Sequence, residues 1–138
     1  NHMPYLRVRI ATADQHVSAQ QIASMLTDLA VTKLGKNAGV AAVDVQFQDP
    51  KQWFIGGHAL KPDQSSFFIE IKITSSTNSR DDKAAFVKAA YQQMAALLPN
   101  VQPTSYIVLQ DVASDSWGYG GLTQEFRYIH GWYALKYA

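Results

Sequence analysis

A chain of 138 residues, 47% apolar and 17% charged, carries enough hydrophobic material for one domain or for two small halves sharing a core. The formal net charge is +1 with no basic run, so nothing argues for a nucleic-acid partner, and the absence of cysteine excludes disulfides, thiolate catalysis and cysteine-bound zinc. No apolar stretch approaches the roughly 20 residues that span a bilayer, so the expectation is a soluble cytoplasmic protein with no membrane partner.

Asn1–Met3 reads as a tag scar ending in a cloning-site methionine and is set aside from fold reasoning. A chain starting after it opens on Pro4, whose free nitrogen is a secondary amine that no interior proline can offer. From Leu6 the chain reads LRVRIAT, large apolar residues alternating with charged ones as in a strand. Ser18 with Gln21 forms a capping box, after which Ile22, Met25, Leu26 and Leu29 mark one helical face; Gly35 is a natural stop. A strand is predicted at Val43–Phe47, followed by QWFIGG at 52–57.

The second half repeats this order. FIEIKIT at 68–74 matches the alternation of residues 6–12, and Ser79 with Asp82 caps a second helix. Its predicted buried stripe is Val87, Ala90, Tyr91, Met94, Leu97 and Leu98, with Pro99 as terminator. A strand follows at Tyr106–Asp111, then SWGYGG at 116–121. Trp53 matches Trp117, and Gly56 and Gly57 match Gly120 and Gly121, all at one offset (117 − 53 = 64). Each half is a β-α-β unit with parallel strands. The predicted class is α+β: two pseudo-repeated β-α-β units forming one four-stranded mixed sheet with two helices on one face. Repeat one spans 4–57 and repeat two 66–121, within a domain covering 4–121. Residues 122–138 are too apolar for a loose tail and are expected to dock on their own domain or on a neighbouring subunit.

With the aliphatic residues of the first and third strands packed on the helices, Tyr5, Arg7, Arg9, Glu70 and Lys72 line the opposite face. That face is either solvated, with pairs such as Arg7 or Arg9 with Glu70, or a polar channel wall where several copies assemble.

Pro4 at the head of a doubled β-α-β chain, with each half closing on Trp-x-x-Gly-Gly, resembles the tautomerase superfamily, which includes the 4-oxalocrotonate tautomerases and macrophage migration inhibitory factor. The resemblance covers roughly Pro4 to Gly121. It implies a homotrimer with pockets at subunit interfaces and no cofactor. The family's catalytic proline falls on Pro4. A Gly-Lys pair that follows the first helix in the inhibitory-factor branch falls on Gly35-Lys36, which implies that Lys36 binds a substrate carboxylate. A pocket-closing tyrosine falls on Tyr106, whereas the asparagine two residues later in that branch is Val108 here. The arginine pair of the dehalogenase and decarboxylase branches meets Ser75, Ser76 and Asn78, with Arg80 about two positions late. A histidine of the dehalogenase's first helix is matched by Ala30.

These residues suit proton transfer between carbon and oxygen. An α-amino group titrates near 8, and burial or a neighbouring cation such as Lys36 lowers it toward working pH. Tyr5, Trp53, Trp117 and Tyr119 can supply an apolar wall that stacks an aromatic substrate. Each has a plain alternative. Pro4 is tolerated at the start of a strand, Lys36 complements a helix C-terminus, Tyr106 is an ordinary strand aromatic, and both tryptophans plug the core. The histidines show no metal-ligand spacing. The expected function is a cofactor-independent keto–enol tautomerase acting on an aromatic or unsaturated 2-oxo acid, a small-molecule carboxylic acid. The alternatives are a hydratase or dehalogenase of an unsaturated acid, or a non-catalytic binding trimer.

Overall fold

Strict alternation makes the first strand two-faced. β1 (Tyr5–Ala11) buries Leu6, Val8 and Ile10 completely and turns Tyr5, Arg7 and Arg9 the other way. The computed structural model describes residues 3–137, with side chains described as far as Gly131. α1 (Ala19–Leu34) begins at the predicted capping box, in which Ser18 Oγ accepts from the Gln21 N–H and Gln21 Oε1 from the Ser18 N–H. It ends at Gly35, whose φ of +66° lies in the left-handed region that favours glycine. β2 (Ala42–Gln48) returns parallel to β1, and a hairpin of β3 (Phe54–Ile55) and β4 (His58–Ala59) closes the first unit.

The second unit repeats the plan with β5 (Ser66–Thr74), α2 (Arg80–Leu97), β6 (Tyr106–Val112) and a hairpin of β7 (Gly118–Tyr119) and β8 (Leu122–Thr123). α2 starts on the Ser79–Asp82 capping box, and Ser79's backbone N–H, helped by the Asn78 side chain, holds Asp82 below its ordinary carboxylate pKa. Both hairpins turn on Gly-Gly pairs with positive φ at each glycine, +60° and +80° in the first and +61° and +82° in the second. That is the type I′ geometry that matches strand twist. The doubled Trp-x-x-Gly-Gly is therefore a doubled hairpin.

The four long strands form one sheet in the order β2-β1-β5-β6, parallel within each unit and antiparallel between β1 and β5. Ile22, Leu26, Ala30 and Leu34 of α1 and Phe86, Ala90 and Met94 of α2 meet the aliphatic sheet face in one core, so both helices cover the same side. The predicted fold class holds. Val87 departs from the predicted stripe: it is 37% exposed, and Phe86, fully buried, takes the core position. The rest of the stripe stands, with Ala90, Met94 and Leu98 buried and Tyr91 and Leu97 packed against the core, so only its first position moves, from Val87 to Phe86. Phe86→Ala is expected to lower unfolding stability by about 3–5 kcal/mol in a denaturant titration, whereas Val87→Ala costs under about 1 kcal/mol.

The strand repeat also shifts. Tyr5 pairs with Lys72 and Arg9 with Phe68, so the two-fold relation between units carries Tyr5 to Phe68 and Arg9 to Lys72. Leu6 thus corresponds to Ile69, one residue off the match of 6–12 with 68–74. A one-residue slip would exchange the faces, and burial decides between the two alignments.

On the open face Tyr5 donates to Asp44 at 3.1 Å, Arg9 to Gln48 at 2.7 Å and Lys72 to Gln110 at 2.8 Å. Glu70 pairs with Lys72 at 3.5 Å, and among the described residues neither Arg7 nor Arg9 bridges to it, although Arg7 stands opposite it in register. Lys72 lies two residues along the same face, and Arg9 extends the other way, toward β2. Burial, with the bond to Asp44 second, raises the Tyr5 pKa. After the second hairpin the chain continues as α3 (Gln124–Tyr137), with Gln124 buried and Phe126, Tyr128 and Ile129 exposed. Among the described residues no helix is long and apolar enough to cross a membrane.

Candidate active site

Parallel pairing inside each unit, with a helix between the strands, puts the end of the helix beside the start of its first strand. Gly35 and Lys36 follow α1, and Ala42, at the head of β2, donates its N–H to the Pro4 carbonyl at 3.3 Å. Because Tyr5 stands opposite Lys72, Pro4 lies at the end of β5 where Ile73 and Thr74 follow. Pro4 and the chain end of β5 therefore share one edge of the sheet with Lys36. Both Pro4 and Met3 are buried, Met3 to 4% exposure.

Lys36 is also only 4% exposed, an unusual place for an ammonium group. Its Nζ donates to Thr77 Oγ1 at 2.9 Å, and Thr77 in turn donates to the Thr74 carbonyl at 2.7 Å. Burial lowers the Lys36 pKa to about 8, against the pull of Asp111 and Asp82. Asp111 has its own cation, Lys83, at 2.6 Å. Asn78 ties the segment to the end of α1 by donating to the Leu34 carbonyl at 2.8 Å.

Above this segment lies an open cavity of about 660 Å³. One wall is the hydroxyl-rich run Thr74, Ser75, Ser76 and Thr77; the other is the start of α3, with Gln124, Glu125, Tyr128 and Ile129. Ser76 holds a φ of +67°, which a non-glycine residue rarely adopts. Two backbone bonds set the second wall, from the Gln124 N–H to the Trp117 carbonyl at 3.0 Å and from the Glu125 N–H to the Ser114 carbonyl at 2.9 Å.

None of the residues picked out from the sequence lines this cavity directly. Lys36 and Trp117 each bond to one that does, Lys36 to Thr77 and Trp117 Nε1 to Thr74 Oγ1 at 3.2 Å. Tyr5 lies on the open sheet face. Tyr119 is covered by Arg127, whose guanidinium sits 3.9 Å above the ring while its Nη2 donates to the Tyr119 carbonyl at 2.9 Å. Tyr106 stands opposite Phe68, at the other end of β5 from Thr74, and is 63% exposed. Within one chain it is roughly 17–20 Å from the Pro4 end, at about 3.3 Å per strand residue. Trp53 follows β2, whose end pairs with Ala11, so the two-fold relation sends one tryptophan hairpin to each end of the sheet. His58 is exposed, and His130 stacks on Phe126 at 5.6 Å. The lining residues of α3 were beyond sequence reasoning, which had no helix there. Thr74–Thr77 were visible in it only as the place where an arginine pair is absent.

Solved structures of known proteins share this architecture. A fused 4-OT described as an asymmetric trimer superposes with a TM-score of 0.73 at 18% identity, covering 88% of this chain and 97% of that one. The chain has the tautomerase-superfamily fold. A malonate semialdehyde decarboxylase inhibited by 3-bromopropiolate shares the tautomerase fold at a TM-score of 0.70 and 18% identity, over 92% of this chain and 95% of its own. A protein inactivated by 2-oxo-3-pentynoate does so at 0.71 and 15% identity, over 88% and 97%. No family model and no curated protein matches the chain. At the places where the decarboxylase branch resemblance implies arginines, the tautomerase fold here presents half-buried Ser75 and Asn78 and exposed Ser76, with Arg80 exposed at the head of α2.

Proposed function

We propose that the protein is a cofactor-independent keto–enol tautomerase of a 2-oxo acid, with Pro4 as base and acid once it is the chain's N-terminus. The observation that carries this reading is Lys36: a buried ammonium group, at the Pro4 edge of the sheet, bonded to a hydroxyl that lines an open cavity. A cation kept out of water has a use there if it meets an anion, and the substrate carboxylate is that anion. With the carboxylate held, the Pro4 nitrogen takes the proton from the enol oxygen and returns it to the adjacent carbon. The carbonyl forms as the carbon–carbon double bond takes up that proton. Lys36 also stabilises the negative charge that builds on oxygen between the two transfers. Trp117 stands behind the cavity wall and braces it through its bond to Thr74.

The working unit in this reading is a homotrimer in the cytoplasm. A fused 4-OT of the same fold is described as a symmetric trimer. Two further features support assembly: the edge strands β2 and β6 have no outer partner among the described residues, and Tyr106 is exposed on β6. A neighbouring copy brings its Tyr106 to the cavity that its own chain leaves open. The test follows phenylpyruvate enol by ultraviolet absorbance with protein that starts at Pro4. Ketonisation well above the buffer rate is expected. A rate equal to buffer, for phenylpyruvate and for an unsaturated 2-oxo acid alike, overturns the assignment.

A further inference from the structure

The cavity lining carries one carboxylate and no cation. Glu125 is the carboxylate, and Lys36 stands behind the opposite wall with its Nζ bonded to the lining hydroxyl of Thr77. The Glu125 backbone is pinned at the start of α3 by its bond to the Ser114 carbonyl, and among the described residues its side chain forms no ion pair. The rest of the α3 wall is Gln124 and two apolar bodies, Tyr128 and Ile129. A ligand anchored on the Thr77 side thus meets a negative charge and apolar surface at its other end.

We propose that Glu125 is a specificity residue that restricts the cavity to acids with a single carboxylate and an apolar tail, against 2-oxo dicarboxylates. The inference rests on the reading of this cavity as the substrate site. A monoacid places its one charge at Lys36 and its tail against Tyr128 and Ile129. A diacid places its second charge near Glu125, where like charges repel. Two unit charges about 6 Å apart disfavour each other by roughly threefold to a hundredfold in affinity, between the dielectric of water and that of a protein surface. An open cavity lies toward the lower part of that range, at about tenfold. Specificity here comes from a repulsive group as much as from an attractive one.

The test measures binding by titration calorimetry, so it does not depend on turnover. Phenylpyruvate and 2-oxoglutarate are the probes, and the proteins, each starting at Pro4, are the parent, Glu125→Gln, Glu125→Lys and Lys36→Met. Glu125→Gln is expected to raise 2-oxoglutarate affinity about tenfold and to move phenylpyruvate by less than twofold. Glu125→Lys is expected to reverse the preference. An unchanged ratio of the two affinities in both Glu125 variants, with binding still lost in Lys36→Met, overturns the Glu125 proposal and leaves the site reading standing. Binding that survives Lys36→Met at full strength, or no binding by any protein, overturns both.

Discussion

A chain that begins at Pro4 is expected to ketonise phenylpyruvate enol about 10²–10⁴ times faster than the chain that keeps Met3, the range that a positioned acid–base group supplies. Two physical effects act together. In a peptide bond the proline nitrogen shares its lone pair with the carbonyl and is neither basic nor nucleophilic. Met3 is moreover buried, at 4% exposure, so its side chain takes up packed space next to Pro4 in the chain. Taking it away frees the amine and the volume beside it. Pro4→Ala at the terminus separates these effects, because it opens the same volume and replaces the secondary amine by a primary one. Its rate is expected to fall between the other two. Thermal melts of all three proteins should agree to within a few degrees, since the core under β1 is unchanged. Equal rates for the Met3-bearing and Pro4-terminal proteins, with melts that agree, would rule out the proline as the proton carrier.

How far the sequence could lead is clearest in particular residues. Caps were legible because they depend on spacing alone: Ser18 with Gln21, Gly35, and Ser79 with Asp82 all stand where the local rules place them. Sheet faces were legible from alternation, since an aliphatic residue at every second place has one low-energy side. The register of the repeat was not, because a period of two matches itself at either of two neighbouring offsets until burial chooses. Position along the sheet was equally hidden. Tyr106 and Trp53 carry the right chemistry, yet a two-fold related pair of units sends equivalent residues to opposite ends, and one chain's composition is the same either way. The last helix does start on a cap, Thr123, whose Oγ1 accepts from the Phe126 N–H at 3.0 Å. No Glu or Gln stands three residues later to complete a capping box, and the cap sits on the hairpin strand Leu122–Thr123 itself. Half of the cavity wall was therefore invisible, including Glu125. Lys36 was the exception among site residues. It came from the resemblance, through the Gly-Lys pair after the first helix, while its burial, at 4% exposure, is a finding of the structure.

Lys36→Met is expected to weaken phenylpyruvate binding by roughly ten- to a hundredfold, the equivalent of about 1.5–3 kcal/mol for one hydrogen bond to a charged group. Methionine keeps the length and the apolar stem, so the loss reports the charge and not a cavity. The pH dependence carries the finer test. Burial lowers the Lys36 pKa to about 8, so carboxylate affinity in the parent protein should hold below that pH and fall as pH rises through it. The methionine variant should show no such step. Folding stability moves the opposite way. Between about 8 and the ordinary lysine value near 10.4 the unfolded chain holds a proton that the folded chain has released, so the stability contribution of Lys36 rises with pH across that window. Tyr5, whose pKa burial raises, is common to both proteins and cancels in their difference. Denaturant midpoints of the parent and of Lys36→Met at a series of pH values should therefore diverge in the parent's favour from about pH 8 upward. A difference that stays flat over that range would mean that Lys36 is charged like any surface lysine and that its burial creates no anion site.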